Sequence, residues 1–498
     1  MLNKFFFTAF ILLSFCVNYA QTDTTRYPKI NPTNLLPDLR NQLDDTFNDP
    51  NFSNAFWGVY IKSLKTGEVI YKRNSDKLFV PASDVKLFTS AAALLLLGSN
   101  YTYKTLVFTD GNVVKDTLFG NIIIRGSGDP TLSLKYPPQK SRDIFEAWAD
   151  SLLLKGIKCI KGNIYGDDNL FDDLGYGSEW PWETENFWYA SPSGGLSFNE
   201  NIIELNISPS ATNMPAEIKT IPHTDYVNIV NKIITTADKK TSINFMKDKS
   251  TELVLLSGYI NSNDEMQKIF IPVGDPTRYF LTVLNETLER KGIALDGYTA
   301  DLDTEEFEII PDNLVTLFSY KSIKLGSMIK ELNKNSNNFF AEQIFKTIGL
   351  ELFNQGTIEN GVKACNQIFD LMGIFSDNLQ IVDGSGLSRL NFITPKQIVN
   401  LLSYMYKSDG FETFYGSLPI AGIDGTLADR MLKTKAENNV RAKPGFLNGV
   451  RTLSGYLRTA DDEPIVFSMI ANNFLVPANL INYVFDSVCI RLANFTRN

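Results

Sequence analysis

Pro81-Ala-Ser-Asp-Val-Lys86 runs directly into Leu87–Leu97, an apolar, alanine-rich stretch closed by Gly98. The pattern has the start and stop signals of a buried helix. Three positions apart, Ser83 and Lys86 then share one face at the helix N-terminus. That placement suits nucleophilic chemistry. The positive end of the helix dipole favours a developing alkoxide, the Ser83 N–H can enter an oxyanion hole, and an amine of lowered pKa can take the hydroxyl proton. Lysine is the base that composition favours. His223 is the only histidine in 498 residues, which rules out clustered histidine metal sites and leaves a Ser-His-Asp triad dependent on one residue. It stands in Thr220-Ile-Pro-His-Thr-Asp225, a turn-like segment with no nucleophile beside it.

A Ser-x-x-Lys pair alone has little specificity. Ser327-Met-Ile-Lys330 matches it inside a helical pattern, and an ordinary N-cap serine would look like Ser83. Order supplies what the pair lacks. The signature of serine β-lactamases and penicillin-binding proteins continues with Ser-x-Asn and then Lys-Thr-Gly. Ser336-Asn-Asn338 lies at the junction of two helical patterns, where side chains face a cleft. Ser376-Asp-Asn378 also matches, but it leads from a helix into the strand-like Leu379–Val382 and is set aside. Lys65-Thr-Gly67 is a literal third element that precedes the nucleophile and reads as a hairpin turn. Lys443-Pro-Gly445, followed by Phe446, stands in the right order and opens a strand.

On these motifs the chain resembles the low-molecular-mass class C penicillin-binding proteins, the D-Ala-D-Ala carboxypeptidase/endopeptidase family, over nearly all its length after residue 20. Gly126-Ser-Gly-Asp-Pro130, Gly195-Leu-Ser-Phe-Asn-Glu200, Asp383-Gly-Ser-Gly-Leu-Ser-Arg389 and Leu418-Pro-Ile-Ala-Gly-Ile-Asp-Gly-Thr426 resemble that family's segments in the same order. About 250 residues separate Lys86 from Ser336, which suits a family with insertion domains and not a compact β-lactamase. The resemblance implies a multidomain α/β fold. A discontinuous penicillin-binding-protein/serine β-lactamase-like transpeptidase domain would occupy 21–99 and 311–498, with inserted β-rich material at 100–310 as one domain or two nested ones.

The resemblance also implies a reaction. D-Ala-D-Ala termini or D-Ala-containing cross-links of peptidoglycan would be hydrolysed through an acyl-enzyme on Ser83. Lys86 would take the proton, Ser336 would relay one to the departing amine, and Asn338 would hold the substrate amide. Lys443 would keep the site positive and lower the Lys86 pKa by repulsion. The oxyanion would sit between the N–H groups of Ser83 and Phe446, beside Gly445. No cofactor or metal is implied. The implied partners are peptidoglycan stem peptides and cross-links, with β-lactam antibiotics as covalent inhibitors.

One departure stands out. Lys-Pro-Gly-Phe replaces Lys-Thr-Gly, so the hydroxyls that would receive a terminal carboxylate are absent, and Arg441 and Arg451 are the nearest cations in sequence. In a strand the N–H groups of 444 and 446 point the same way, so Pro444 at an edge removes only an edge donor. The alternative reading is a catalytically silent peptidoglycan-binding protein of the same fold.

The elements that must position these residues follow from periodicity. Helices are expected near Asp38–Phe47, Ser322–Leu332, Phe339–Phe353, Gly361–Leu371 and Pro395–Tyr406, with strands near Ala55–Ile61, Glu68–Lys72, Val450–Arg458 and Ile465–Asn472. Strands at both ends flanking helices imply a domain assembled from distant halves.

Length and charge bound the rest. A chain of 498 residues is expected to form two or three domains. With 47 Lys+Arg against 56 Asp+Glu, a net charge of -9 and no basic run interleaved with aromatics, nucleic acid is excluded as a partner. Lys4 precedes an apolar run from Phe5 to Val17 that ends near Ala20, the pattern of a secretory signal peptide over 1–20. No later run reaches the roughly 20 apolar residues of a membrane span. An exported protein that is not integral to the membrane is expected, and the resemblance places it in the periplasm. Cys159, Cys365 and Cys489 read as free thiols rather than a disulfide framework. Asp167, Asp168, Asp172 and Asp173 lack the alternation of a calcium loop and read as a solvated turn. Trp180, Trp182 and Trp188 read as packing at a domain junction.

Overall fold

The computed structural model describes residues 27, 35–136, 143–248, 251–304, 314–374 and 378–497, without the side chain of Trp182. The signal-peptide expectation for 1–20 lies outside these residues, as do Ser376 and Asp377 of the competing motif. The chain begins with α1 (Leu36–Phe47) and a hairpin of β1 (Phe56–Ser63) and β2 (Val69–Arg73). Lys65-Thr66-Gly67 forms its turn, with Gly67 at φ 79°. Then comes α2 (Val85–Leu96), buried on almost every side, as its Leu, Phe and Ala content requires.

The inserted material contains β3 (Lys104–Thr109), β4 (Asn112–Val114), β5 (Thr117–Phe119), β6 (Ile122–Arg125), α3 (Ile144–Leu154), β7 (Cys159–Lys161) and β8 (Ile164–Asp167). It continues through β9 (Ile202–Ser208), β10 (Glu217–Ile221), β11 (Asn228–Thr236), β12 (Ser242–Lys247), β13 (Leu253–Asn261) and β14 (Gln267–Pro272). It ends with α4 (Pro276–Arg290), β15 (Ala294–Leu295), β16 (Thr299–Asp301) and β17 (Val315–Lys321). The strands form four sheets, ordered β16-β8-β6-β3-β17, β15-β7-β5-β4, β10-β9-β14 and β11-β13-β12. β17 pairs with β3 from Val315↔Thr109 to Lys321↔Lys104, beyond the boundary expected at 310. α3 and α4 add helix to a segment expected to be strands. Asp143 caps α3 by accepting from the Phe145 N–H at 2.9 Å, and Asp275 caps α4 by accepting from the Arg278 N–H at 2.9 Å.

The C-terminal part supplies α5 (Leu325–Lys334), α6 (Asn338–Phe353), α7 (Ile358–Phe369), α8 (Pro395–Met405) and α9 (Phe411–Ser417). It closes with β18 (Arg441–Leu447), β19 (Val450–Arg458), β20 (Pro464–Asn472) and α10 (Ala478–Asn494). Its strands join the first hairpin in an antiparallel sheet ordered β18-β19-β20-β1-β2. The β1–β20 register, Phe56↔Asn472 to Ser63↔Ile465, unites the two ends of the chain. Both faces of this sheet are covered. Val466 and Ile470 pack with α2, α5, α6 and α8, while Ile465, Phe467 and Met469 pack with α1 and α10. Burial on both faces explains why β20 reads as a continuous apolar run.

Cys365 and Cys489 are buried free thiols and Cys159 is a partly buried one. Among the described residues, no helix is long and apolar enough to cross a membrane.

Candidate active site

Ser83 lies in a 3₁₀ turn, Ala82–Asp84, that leads into α2. Ala82 is held at φ 46°, a left-handed conformation that costs a non-glycine residue about 1–3 kcal/mol. Two glycines brace it. A Cβ on Gly386, at φ 83°, would collide with the Ala82 carbonyl oxygen, and one on Gly445 would lie 2.9 Å from the Ser83 nitrogen. β18 therefore runs against the nucleophile's own backbone. Gly386→Ala is expected to displace the Ser83 turn, lowering both the melting temperature and the rate of acylation by a penicillin. A thermal melt and a stopped-flow trace check this, and unchanged values in both would refute the bracing.

Lys86 is fully buried. Its Nζ lies 3.3 Å from Ser83 Oγ, 2.6 Å from Asn338 Oδ1 and 2.6 Å from the Ser385 carbonyl oxygen. A neutral amine has two N–H groups and one lone pair. The two short contacts to pure acceptors use both N–H groups, so the lone pair is left for the Ser83 hydroxyl proton. Burial pushes Lys86 down to about 8, against the pull of Asp383 and Glu342. Repulsion between the two buried amines is mutual, and burial, then Lys86, holds Lys443 well below its ordinary range.

Glu342, one turn after Asn338 on α6, is buried and accepts the Gly384 and Ser385 N–H groups at 2.9 and 2.8 Å. It thereby fixes the loop whose carbonyl meets Lys86. Burial, then the neighbouring Asp383, pushes Glu342 up to about 7. Asp383 itself accepts from the N–H groups of Gly386 and Ser388, from Asn391 Nδ2 and from Trp180 Nε1.

Ser336, at φ 55°, occupies the turn between α5 and α6. Lys443 Nζ donates to its Oγ at 2.8 Å and to the Pro444 carbonyl at 2.7 Å. The end of α5 is fastened by Lys334, which donates to the Leu418 carbonyl and to both Asp424 oxygens at 2.6–2.7 Å. β18 is an edge strand. Its Ala442 N–H points away from β19 to the Pro419 carbonyl, so positions 444 and 446 face the same open edge. Proline removes no ladder bond there, and the Phe446 N–H points outward beside Ser83. The Phe446 ring is 64% exposed, with the Arg451 guanidinium 3.7 Å above it. Arg451 also donates to the carbonyls of its own hairpin, Leu447 and Val450. Arg441 instead lies over Tyr415 at 4.7 Å.

The inserted material reaches this cleft. Asn338 Nδ2 donates to the Tyr189 carbonyl at 2.7 Å, so both ends of the amide expected to hold substrate are engaged by the protein. Gln343 Nε2 donates to the carbonyls of Gly128 and Gly194, and Asn337 Nδ2 donates to Glu200 at 2.7 Å. The Gly126–Pro130 and Gly195–Glu200 segments thus brace α6. Trp180 packs with Ala190 and Leu387 at the junction, whereas Trp188 is half exposed against Tyr189 and Phe270. Of the acidic residues, Asp167 pairs with Arg125 and Asp172 with Lys346. Asp168 and Asp173 instead meet Asp303, with oxygens within 4.8 Å.

Ser83, Lys86, Asn338, Ser336, Lys443, Gly445 and the Phe446 backbone therefore share one cleft. Sequence reasoning passed over Asp84, Glu342, Ser385 and Ser454. A carboxylate in the apolar-rich Phe339–Phe353 pattern, as Glu342 is, was the available signal, because such a group is buried only when paired.

A serine and a lysine at a buried helix start, facing a Ser-x-Asn turn and an edge strand led by lysine, define a protein of the penicillin-binding and serine β-lactamase class. The chain belongs to the D-Ala-D-Ala carboxypeptidase 3 (S13) family, whose profile matches residues 39–483. It is 29% identical over 476 residues to a D-alanyl-D-alanine carboxypeptidase of Actinomadura sp. (strain R39), covering 92% of this chain and 85% of the relative. It is 25% identical over 442 residues to the D-alanyl-D-alanine carboxypeptidase DacB of Haemophilus influenzae, covering 87% and 88% of the two chains. The crystal structure of penicillin binding protein 4 from Haemophilus influenzae superimposes with a TM-score of 0.78 at 22% identity, over 91% of this chain and 98% of that one. That likeness shows the fold.

Proposed function

We propose that this protein is a serine-type D,D-carboxypeptidase/endopeptidase that hydrolyses D-Ala-D-Ala termini or D-Ala-containing cross-links of peptidoglycan. The observation that carries the reading is the fully buried Lys86 amine, its two N–H groups taken at 2.6 Å and its third direction 3.3 Å from Ser83 Oγ. Family membership supports the substrate class.

In this reading Ser83 Oγ attacks the carbonyl carbon of the penultimate D-alanine while its proton passes to Lys86 Nζ. The oxyanion is held by the N–H groups of Ser83 and Phe446. The C–N bond then breaks, and a proton reaches the leaving amine through Ser336, which Lys443 orients. Water attacks the Ser83 ester and returns the hydroxyl. Asn338 orients Lys86 and, through the same amide, borders the substrate. Only the neutral amine accepts a proton, so acylation is expected to rise with pH through about 8, the value set by burial of Lys86.

The domain limits that accompany this reading are 21–99 and 322–498 for the D,D-peptidase domain and 100–321 for the insertion, supported by the β17–β3 pairing. Export to the periplasm, with residues 1–20 as signal peptide, completes it. β-Lactams are the covalent inhibitors the chemistry predicts.

Lys443-Pro-Gly-Phe offers no hydroxyl at 444 or 446 for a terminal carboxylate. A cross-linked dimer, whose scissile bond is followed by a different terminus, is therefore expected to be cleaved several-fold faster than a D-Ala-D-Ala pentapeptide. Chromatographic rates on the two substrates check this. Preference for the pentapeptide would remove the endopeptidase emphasis, and cleavage of neither would remove the enzymatic reading.

A further inference from the structure

Lys443 is fully buried, yet both of its hydrogen-bond partners are neutral oxygens, Ser336 Oγ and the Pro444 carbonyl. Lys86, when protonated, repels it. Burial without a compensating charge disfavours the ammonium form, so a negative group behind Lys443 would favour it. Asp84 supplies one. It lies between Ser83 and Lys86 in sequence, is fully buried, and accepts the Ser454 hydroxyl at 2.6 Å. Ser454 is the register partner of Lys443 in the β18–β19 ladder, and Thr452 is that of Gly445. Ser468 of β20 extends the chain, 2.9 Å from Ser454.

The other groups around the turn are committed elsewhere. Lys86 of α2 is turned to Asn338 and Ser385, and Asp383 of the adjoining loop is taken up by Gly386, Ser388, Asn391 and Trp180. Thr452 and Ser454 of β19 and Ser468 of β20 carry no charge. Lys443 of β18, the register partner of Ser454, is the cation whose charge acts on Asp84.

We propose that Asp84 is a positioning residue that keeps Lys443 charged and seated against Ser336, acting through Ser454 and the β18–β19 ladder. Its role in the reaction rests on Ser83 being the acylated nucleophile. Burial pushes Asp84 up to about 7, and Lys443 is held below its ordinary range. Opposite charges coexist on the two groups wherever Asp84 is ionised while Lys443 keeps its proton. Below about pH 7 Asp84 gains its proton and the counter-charge is lost. At higher pH Lys443 loses its own.

The test is Asp84→Asn, with 15N-lysine NMR of the Lys443 amine and the pH profile of acylation by a penicillin as readouts. Removing the negative charge disfavours the ammonium, so the Lys443 titration and the basic limb of the profile are expected to move down by about one pH unit or more. Ser454→Ala keeps the charge but removes its hydrogen bond. It is expected to raise the Asp84 titration, read by 13C NMR of the carboxyl, because the carboxylate form is less stabilised, and to leave the basic limb in place; the acid limb itself follows Lys86. A uniform fall in rate with both limbs and the Lys443 titration unmoved would overturn the proposal. If Asp84→Asn does not fold, an unmoved Asp84 titration in Ser454→Ala would do so. Wild-type protein that resists acylation while Lys443 still titrates lower in Asp84→Asn would sink the acyl-enzyme reading and leave the coupling of Asp84 to Lys443 standing.

Discussion

Ser83→Ala is expected to lower D,D-peptide hydrolysis on the order of a million-fold, the scale on which serine hydrolases lose activity without their nucleophile. Stability should hardly change. The hydroxyl lies partly exposed at the cleft and its contact is a long one, 3.3 Å to Lys86, so the difference should stay within about 0.5 kcal/mol. The strained turn at Ala82 is imposed by Gly386 and Gly445, which the substitution leaves untouched. Hydrolysis rates and a thermal melt on the same preparation check both halves. Activity within a hundredfold of wild type would place the nucleophile elsewhere.

Lys86→Ala is expected to slow acylation by about 10³- to 10⁴-fold, the span of general-base contributions. It should also flatten the rise with pH through about 8, because the group that titrates there is gone. Here stability does change. Asn338 Oδ1 and the Ser385 carbonyl lose their donor inside a closed site, at about 1–3 kcal/mol for each unsatisfied group. Lys86→Arg is not expected to rescue the rate, since a guanidinium keeps its proton throughout. Stopped-flow acylation of the two variants between pH 6 and 9 reads these outcomes. A variant that keeps the wild-type pH profile would show that another group accepts the proton.

The sequence made the five polar residues of the motifs legible for a local reason. Each sits at the end of an element, where turn and cap signals are strong. Ser83 and Lys86 flank the start of α2, Ser336 and Asn338 mark the α5–α6 turn, and Lys443 lies near the start of β18. The literal Lys65-Thr66-Gly67 was separated from Lys443-Pro444-Gly445 by order and by its hairpin-turn pattern, and its place in the β1–β2 turn agrees with that. The partners that tune the site were not legible, because long-range pairing sets them. Asp84 occupies a variable position of the Ser-x-x-Lys motif and acquires meaning only when β19 brings Ser454 beside it, 370 positions away. Trp180 Nε1 finds Asp383 across 203 positions. Local periodicity carries no information about either meeting. The same limit hid the β17–β3 pairing. α3 and α4 were different, since Asp143 and Asp275-Pro276 were present as start signals and the surrounding glycine and asparagine turns obscured them.

Replacing Lys-Thr-Gly by Lys-Pro-Gly-Phe changes less than composition suggests. β18 is an edge strand, so Pro444 breaks no ladder bond, and the Phe446 side chain turns outward under Arg451. The lost hydroxyls bear on substrate choice, whereas the Lys86 amine and the backbone donors at 83 and 446 are retained. A silent wall-binding protein would have no need of a fully buried lysine 3.3 Å from a serine hydroxyl.

The measurement closest to the central claim is mass spectrometry of the purified mature protein after incubation with penicillin, beside Ser83→Ala. A single penicilloyl adduct mapping to Ser83 and absent from the variant is the expected result. It would establish both the nucleophile and a working oxyanion hole with phenylalanine at 446. A folded wild-type protein that gains no adduct would contradict the account and favour the silent peptidoglycan-binding alternative.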